Sequence, residues 1–289
     1  MHMEELETFI VLVQEKNFTK TALKRSLSQP TVSVHIQNLE REFSTSFFKR
    51  TTKSLHVTPE GAFFYEQALK MKALYEQTKE TFYQKQYQAE GHIRIGTSFT
   101  IGEYILPQVI ARLRNDYPLI DFSITMGNSD SIIEAVRTFE VDIGFVEGET
   151  PSKEVVLTPF QKDQLRVVCS IAKAKPATIA DLHNQTWVIR EAGSGTRSSF
   201  DHLVKSNQIQ LGSTIVFSST HGIKESIKNN LGYAFLSEAA IEHELKEKKL
   251  QIIDIEGLLE ERSFSYVLTK GTVLGRNLTL LLSYLEKEL

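Results

Sequence analysis

The sequence predicts an α/β protein that opens on a small all-α winged helix-turn-helix and continues into a larger, two-lobed α/β domain. Three observations carry that reading. Apolar residues before position 58 recur at helical spacing between clear turn signals, residues beyond about 90 alternate strand and helix patterns, and positive charge gathers near the start of a chain that is −3 overall. With 289 residues, 41% of them hydrophobic, the chain is long enough to bury two cores.

Leu6, Phe9, Ile10 and Val13 fall at i, i+3, i+4 and i+7, one apolar face of a first helix ending near Lys16-Asn17. A second helix is expected over 19–25 with Thr19 as its cap, followed by a tight turn at Ser26-Leu27-Ser28. Ser28 then caps a third helix with Pro30 in its first turn, and Val32, Ile36, Leu39 and Phe43 line its buried face. That pattern leaves Gln29, Thr31, Ser33, His35 and Gln37 near the exposed N-terminal end, where a recognition helix offers short polar groups to base edges. The run from Phe47 to Val57 reads as two short strands around a basic turn, closing at Thr58-Pro59-Glu60-Gly61. Residues 17 to 58 hold seven bases (Lys20, Lys24, Arg25, Arg41, Lys49, Arg50, Lys53) and two acids (Glu40, Glu42), a net +5 that attracts phosphate. A solvated basic surface would have the same composition.

Phe18-Thr19-Lys20, Ala22, Ser28 to Ser33, Ile36, Leu39-Glu40, Phe48-Lys49-Arg50 and Thr58 to Gly61 together resemble the N-terminal pattern of the LysR-type transcriptional regulators. Two positions depart from it: Thr21 stands where that family usually has a second alanine, and Arg25 where it usually has a leucine. The resemblance implies that Gln29, Pro30, Thr31, Ser33 and Gln37 lie in or beside the major groove. It implies that Thr19, Lys49, Arg50 and Lys53 hold the phosphate backbone; Lys20, Arg25 and Ser28 are further DNA-binding candidates. Arg25 either reaches a phosphate on a buried stem or stands in solvent.

From Pro59 a long helix is expected to about residue 88, with Phe64, Ala68, Met71, Tyr75, Thr78 and Phe82 spaced four, three, four, three, four. That is coiled-coil periodicity, read here as a seam with a second chain rather than as packing on the helix's own domain. Domain bounds follow: a DNA-binding domain over 1–58, a dimerisation helix over 59–89, and an effector domain over 90–289, with one lobe at about 90–160 and 265–289 and the other at about 161–264. Two recognition helices on one two-fold axis suit an inverted-repeat operator in double-stranded DNA. A homodimer, joined into a homotetramer, fits the resemblance, and RNA polymerase is a further candidate partner.

Beyond Gly91, strands are expected at 93–96, 120–126, 142–146, 165–170, 186–189, 214–217, 232–236 and 264–268, with helices at 104–113 and 131–138, which signals parallel pairing. So many units without a second linker suit two lobes between which the chain crosses more than once. The resemblance implies a periplasmic-binding-protein-like fold with a cleft. Ligands of open α/β sheets sit beyond the strand ends, so four loops stand out. They contain Ser98, Phe99 and Thr100; Asn128 and Ser129; Arg190, Gly193, Ser194, Gly195, Thr196 and Arg197; and Thr220 and His221. Each precedes an expected helix, whose free N–H groups favour anions, although serine and threonine are also ordinary caps. Arg197 and Arg190 are candidates for gripping an oxyanion. The run Val188 to Arg197 resembles the LysR-type branch that includes regulators of sulfur assimilation and carbon fixation.

Other classes are less well served. An enzyme in an α/β cleft needs a nucleophile with its base or a metal cluster, and His183, His202, His221 and His243 lack ligand spacing. Ser194 lacks the nucleophile-elbow pattern, no phosphate-binding loop motif is present, and the single cysteine, Cys169, sits in an apolar stretch. No cofactor and no metal is expected. A transport binding protein would need no basic helix-turn-helix. The acidic start and the lack of a long apolar run point to the cytoplasm and away from a membrane. A ligand-binding or enzymatic α/β cleft domain without a transcriptional role is the alternative kept open.

Overall fold

A computed structural model describes residues 2–50, 55–84, 89–148 and 154–286, with the backbone alone for Arg50 and for 80–84. The chain divides into two compact units, Met1–Tyr87 and Gln88–Leu289.

In the first unit, α1 (Met3–Glu15), α2 (Phe18–Arg25) and α3 (Gln29–Glu42) precede a hairpin of β1 (Phe48–Arg50) and β2 (Leu55–Val57), and α4 (Pro59–Gln84) follows. Lys16 and Ser26 take the left-handed conformation that ends α1 and α2. The second helix starts earlier than expected because Asn17, not Thr19, is its cap: the Asn17 side chain accepts from the Lys20 N–H at 3.0 Å. Ser28 caps α3 as anticipated, accepting from the Thr31 N–H at 3.2 Å. Leu6, Phe9, Leu12, Ile36, Leu39 and Phe47 form the core, where the Phe47 and Phe64 rings stack at 4.4 Å. Glu40 fixes the entry to the hairpin by accepting from the N–H groups of Phe47 and Phe48. Thr58 caps α4 by accepting from the Gly61 N–H, and a Cβ on Gly61 would lie 2.2 Å from the Phe47 carbonyl oxygen, so only glycine lets α4 start this close to β1.

The second unit contains β3 (Gly91–Ser98), α5 (Phe99–Tyr104), α6 (Leu106–Asp116), β4 (Ile120–Gly127), α7 (Ser129–Arg137), β5 (Ile143–Glu147) and β6 (Val155–Ser170). A 3-10 turn at Ile179–Leu182 leads to β7 (Gln185–Arg190), α8 (Gly195–Ser206), β8 (Leu211–Phe217), α9 (Thr220–Lys228), β9 (Tyr233–Ser237) and α10 (Glu238–Lys246). Finally come β10 (Leu250–Ile252), β11 (Leu259–Thr269) and α11 (Arg276–Glu286). The strands join in the order β4-β3-β5-β11-β6-β9-β7-β8, with β10 on β6.

Pairing is mixed where the sequence suggested parallel. The β3/β4, β3/β5, β7/β8 and β7/β9 pairs are parallel, as βα units require, but β6 and β11 run antiparallel from Val155↔Thr269 to Arg166↔Leu259. These two strands connect the lobes: Phe264 belongs to the core of β3 and β5, whereas Leu165, Val167 and Cys169 belong to that of β7 and β9. Their register shifts by one residue between Phe264 and Ser265, where Pro159, which has no N–H to give, faces Ser265. Among the described residues no helix is long and apolar enough to cross a membrane.

Candidate functional sites

On α3 the buried face is Val32, Ile36 and Leu39, and the stripe opposite exposes Pro30, Val34, Gln37 and Arg41, with Gln29 at the helix start. Thr19, Lys20, Ser28 and Lys49 are exposed nearby in sequence, Thr31 and Ser33 are half-buried, and Arg50's side chain and Lys53 lie outside the described residues. Two expectations need correction. His35 does not face outward: its Nδ1 meets the Thr8 hydroxyl at 2.9 Å. Arg25 does not stand free for phosphate either, because its Nη2 lies 2.6 Å from Glu7. Both are held by α1, whose polar positions the apolar spacing alone could not place against α2 and α3.

The expected seam on α4 also divides. Phe64 and Ala68 are buried in their own unit's core and Met71 packs against it, while Tyr75 and Thr78 are exposed; Phe82's side chain lies outside the described residues. The outward apolar residues are instead Phe63 and Leu74, eleven residues apart and therefore on one face of the helix. The first turns of α4 are drawn inward by the aromatic cluster with Phe9 and Phe47.

In the second unit the four loops meet. Lobe one contributes the starts of α5 and α7, and lobe two the start of α8 and Thr220 at the start of α9. The Asn128 carboxamide donates to the Ala192 carbonyl at 3.3 Å while its oxygen caps α7, and the Asp130 N–H donates to the Gly193 carbonyl at 3.2 Å. Arg190 is buried, lies 4.8 Å from the Phe99 ring centre, donates to both oxygens of Glu191, and reaches Thr220 at 3.4 Å. Burial lifts the Glu191 carboxyl, but the Arg190 guanidinium outweighs it and the pKa is lowered. Arg197 donates to Asp201 at 2.9 Å and to the Arg190 carbonyl at 3.2 Å. Gly193 has φ +85°, the left-handed region suited to glycine, and Ser98, Thr100, Ser129, Ser194 and Thr196 are buried. His221 is not brought in: its ring is exposed, 3.9 Å from Glu225 on its own helix.

The middle of this junction holds three residues the sequence reading missed. Glu147, ending β5, is 2% exposed and accepts from the Thr100 N–H at 3.1 Å and the Thr196 hydroxyl at 2.9 Å. Arg262 on β11 pairs with Glu147 at 2.9 Å and with Asp163 on β6 at 2.8 Å, while Ser237 donates to Asp163. Burial alone would raise the Glu147 carboxyl; the Arg262 charge and the hydrogen bonds of Thr100 and Thr196 reverse this and hold it at about 2. For Asp163 burial wins and the pKa is raised, despite the same arginine. Gly195 fits here because a Cβ would lie 2.1 Å from the Glu147 carbonyl oxygen. The available signal was a charge ending an otherwise apolar strand, Gly144-Phe145-Val146-Glu147; Asp163 and Arg262 fell just outside the expected strands.

Comparison with known proteins agrees with this architecture. Residues 3–62 match the bacterial regulatory helix-turn-helix protein family of lysR type, and residues 86–289 match the LysR substrate binding domain. The chain is 40% identical over 271 residues to the HTH-type transcriptional regulator CysL of Bacillus subtilis, covering 92% of this chain and 91% of that one. Full-length CbnR complexed with its target DNA is similar in fold, with a TM-score of 0.70 at 15% identity over 100% of both chains. So is the CcmR regulatory domain of Synechocystis PCC6803 in complex with 2-PG, with a TM-score of 0.63 at 24% identity over 69% of this chain and 97% of that domain. The chain belongs to the LysR family of DNA-binding transcriptional regulators, a family of regulators and not of enzymes, and carries that family's effector-binding domain.

Proposed function

We propose that this regulator reads an inverted-repeat operator in the cytoplasm as a homodimer or a pair of dimers, and that a small anion in the inter-lobe cleft alters that reading. The lobes are taken as about 90–160 with 265–289, and about 161–264. In this reading Gln29, Pro30, Thr31, Ser33 and Gln37 address bases, Thr19, Lys20, Ser28, Lys49, Arg50 and Lys53 address phosphates, and α4 pairs chains through the face of Phe63, Leu74, Tyr75 and Thr78.

The observation that carries the effector reading is the convergence of the starts of α5, α7, α8 and α9 around Arg190, with Arg197 bonded to the Arg190 carbonyl. Arg190, Arg197 and the neighbouring Arg262 each already hold a carboxylate of the chain, Glu191, Asp201 and Glu147 respectively. Such a place suits an anion that exchanges with an internal carboxylate, and it regulates only if the two lobe arrangements differ in affinity for it.

The test is the melting temperature of the full chain against sulfate, sulfite, thiosulfate, phosphoglycerate and O-acetylserine, since a ligand of the native state raises it. Phosphoglycerate is included because its carboxylate has the chemistry of the internal carboxylates it would displace, and its phosphate adds a second anionic group. A dose-dependent rise that Arg197→Ala abolishes is the expected outcome. No rise with any of them removes the anion reading and leaves the DNA-binding assignment in place.

A further inference from the structure

Val34 stands in the middle of the exposed stripe of α3, four residues after Pro30 and three before Gln37, and is itself 50% exposed. An isolated exposed apolar residue on an ordinary surface needs no explanation. This one lies on the outer face of α3, which the proposed function assigns to the major groove, and the inference rests on that reading. A β-branched residue is a poor choice there on stability grounds, because it loses rotamer freedom in a helix and gains no packing.

Its neighbours do not use it as cover for a polar group. His35 turns to Thr8, and Asn38 donates to Glu5 at 2.7 Å while accepting from Arg41 at 2.7 Å. The outward surface of this turn is therefore the Val34 isopropyl group flanked by Pro30 and Gln37. That group can neither donate nor accept a hydrogen bond, so it cannot distinguish the polar edges of guanine, adenine or cytosine. The major groove displays one apolar feature among the four unmodified bases, the C5-methyl of thymine.

We infer that Val34 is a specificity-determining residue of this regulator that selects thymine in the operator by apolar contact with its C5-methyl group. Selection by Val34 supplements the polar reading by Gln29 and Gln37, and it involves no phosphate. Its loss therefore leaves the salt dependence of binding untouched.

The test isolates the methyl group. A duplex selected by the full-length chain from a random pool is remade with each thymine replaced, one at a time, by deoxyuridine, and dissociation constants are measured at fixed salt for the natural chain and for Val34→Ala. Alanine is a better helix former than valine at an exposed position, so the variant keeps α3. At one or two thymines the uracil replacement weakens the natural chain about three- to tenfold, roughly the worth of one methyl group withdrawn from water. Val34→Ala, which lacks both Cγ methyls, loses most of that penalty there, with an unchanged salt slope. A natural chain indifferent to uracil at every thymine overturns the inference, and so does a Val34→Ala chain that keeps the full uracil penalty. Either result leaves the anion experiment on the cleft unaffected.

Discussion

The outer face of α3 and the inter-lobe junction are both rich in polar groups, yet they hold them in opposite electrostatic states. On the first unit Pro30, Gln37 and Lys49 stand in solvent, and the basic residues gather without enough acids to neutralise them. At the junction Arg190, Arg197 and Arg262 are each paired with a carboxylate of the chain, and two of the three are buried. The difference matters for function. A surface with excess charge gains contacts when its partner arrives and is screened by salt. A junction of satisfied pairs gains little from one more charge unless pairs exchange, which is the behaviour of a switch.

The strongest way to break this comparison is to remove Arg262. Arg262→Ala leaves Glu147 and Asp163 buried without their common cation, and breaking a buried pair in this way costs about 3–5 kcal/mol. The single tryptophan, Trp187, is fully buried in the second unit, so its fluorescence during urea unfolding reports that unit's stability. A loss below about 1 kcal/mol would mean that the junction is held by something other than these pairs.

Acid sharpens the same point. Glu147 has a folded pKa of about 2, below the ordinary carboxylate value of 4.5, so its contribution is present above about pH 4.5 and is lost as pH falls toward 2. A shift of that size corresponds to about 3 kcal/mol. Asp163 is shifted upward, so its protonation on acidification favours the folded chain and partly offsets the loss. The Trp187-reported stability should therefore fall below about pH 4.5, and Asp163→Asn should make the fall steeper. A shallower fall in that variant would mean that Asp163 is not the group taking up the compensating proton.

The same contrast explains what could be read from the sequence. The helix-turn-helix depends on local periodicity and caps, so Ser28 with Pro30, the turn at Ser26 and Val32, Ile36 and Leu39 of the buried face of α3 were legible, whereas Phe43, expected on that face, caps the helix end and is exposed. The four cleft loops were legible because small and hydroxylated residues at strand ends mark helix starts. Glu147, Asp163 and Arg262 were not, because what joins them is the antiparallel pairing of β11 with β5 on one side and β6 on the other, and the polar residues of β6 and β11 hid parts of those strands. The first part of the α4 seam, Phe64 and Ala68, was misread for a similar reason. Heptad spacing cannot say whether Phe64 meets a second chain or Phe9 and Phe47 of its own.

The smallest expected effect tests the boundary between the two behaviours. Arg25 lies in the basic segment, yet its guanidinium is engaged inward by Glu7 at 2.6 Å, and Lys72 lies 3.8 Å from the same carboxylate. In electrostatic terms Arg25 resembles the paired arginines of the junction more than it resembles exposed Lys49. Lys49→Ala should therefore weaken binding to all DNA by a similar factor and reduce the salt slope by about one, whereas Arg25→Ala should leave the slope unchanged. A reduction of about one in both variants would show that Arg25 exchanges Glu7 for a phosphate when DNA arrives, so that exchange of internal pairs would operate on the DNA-reading unit as well.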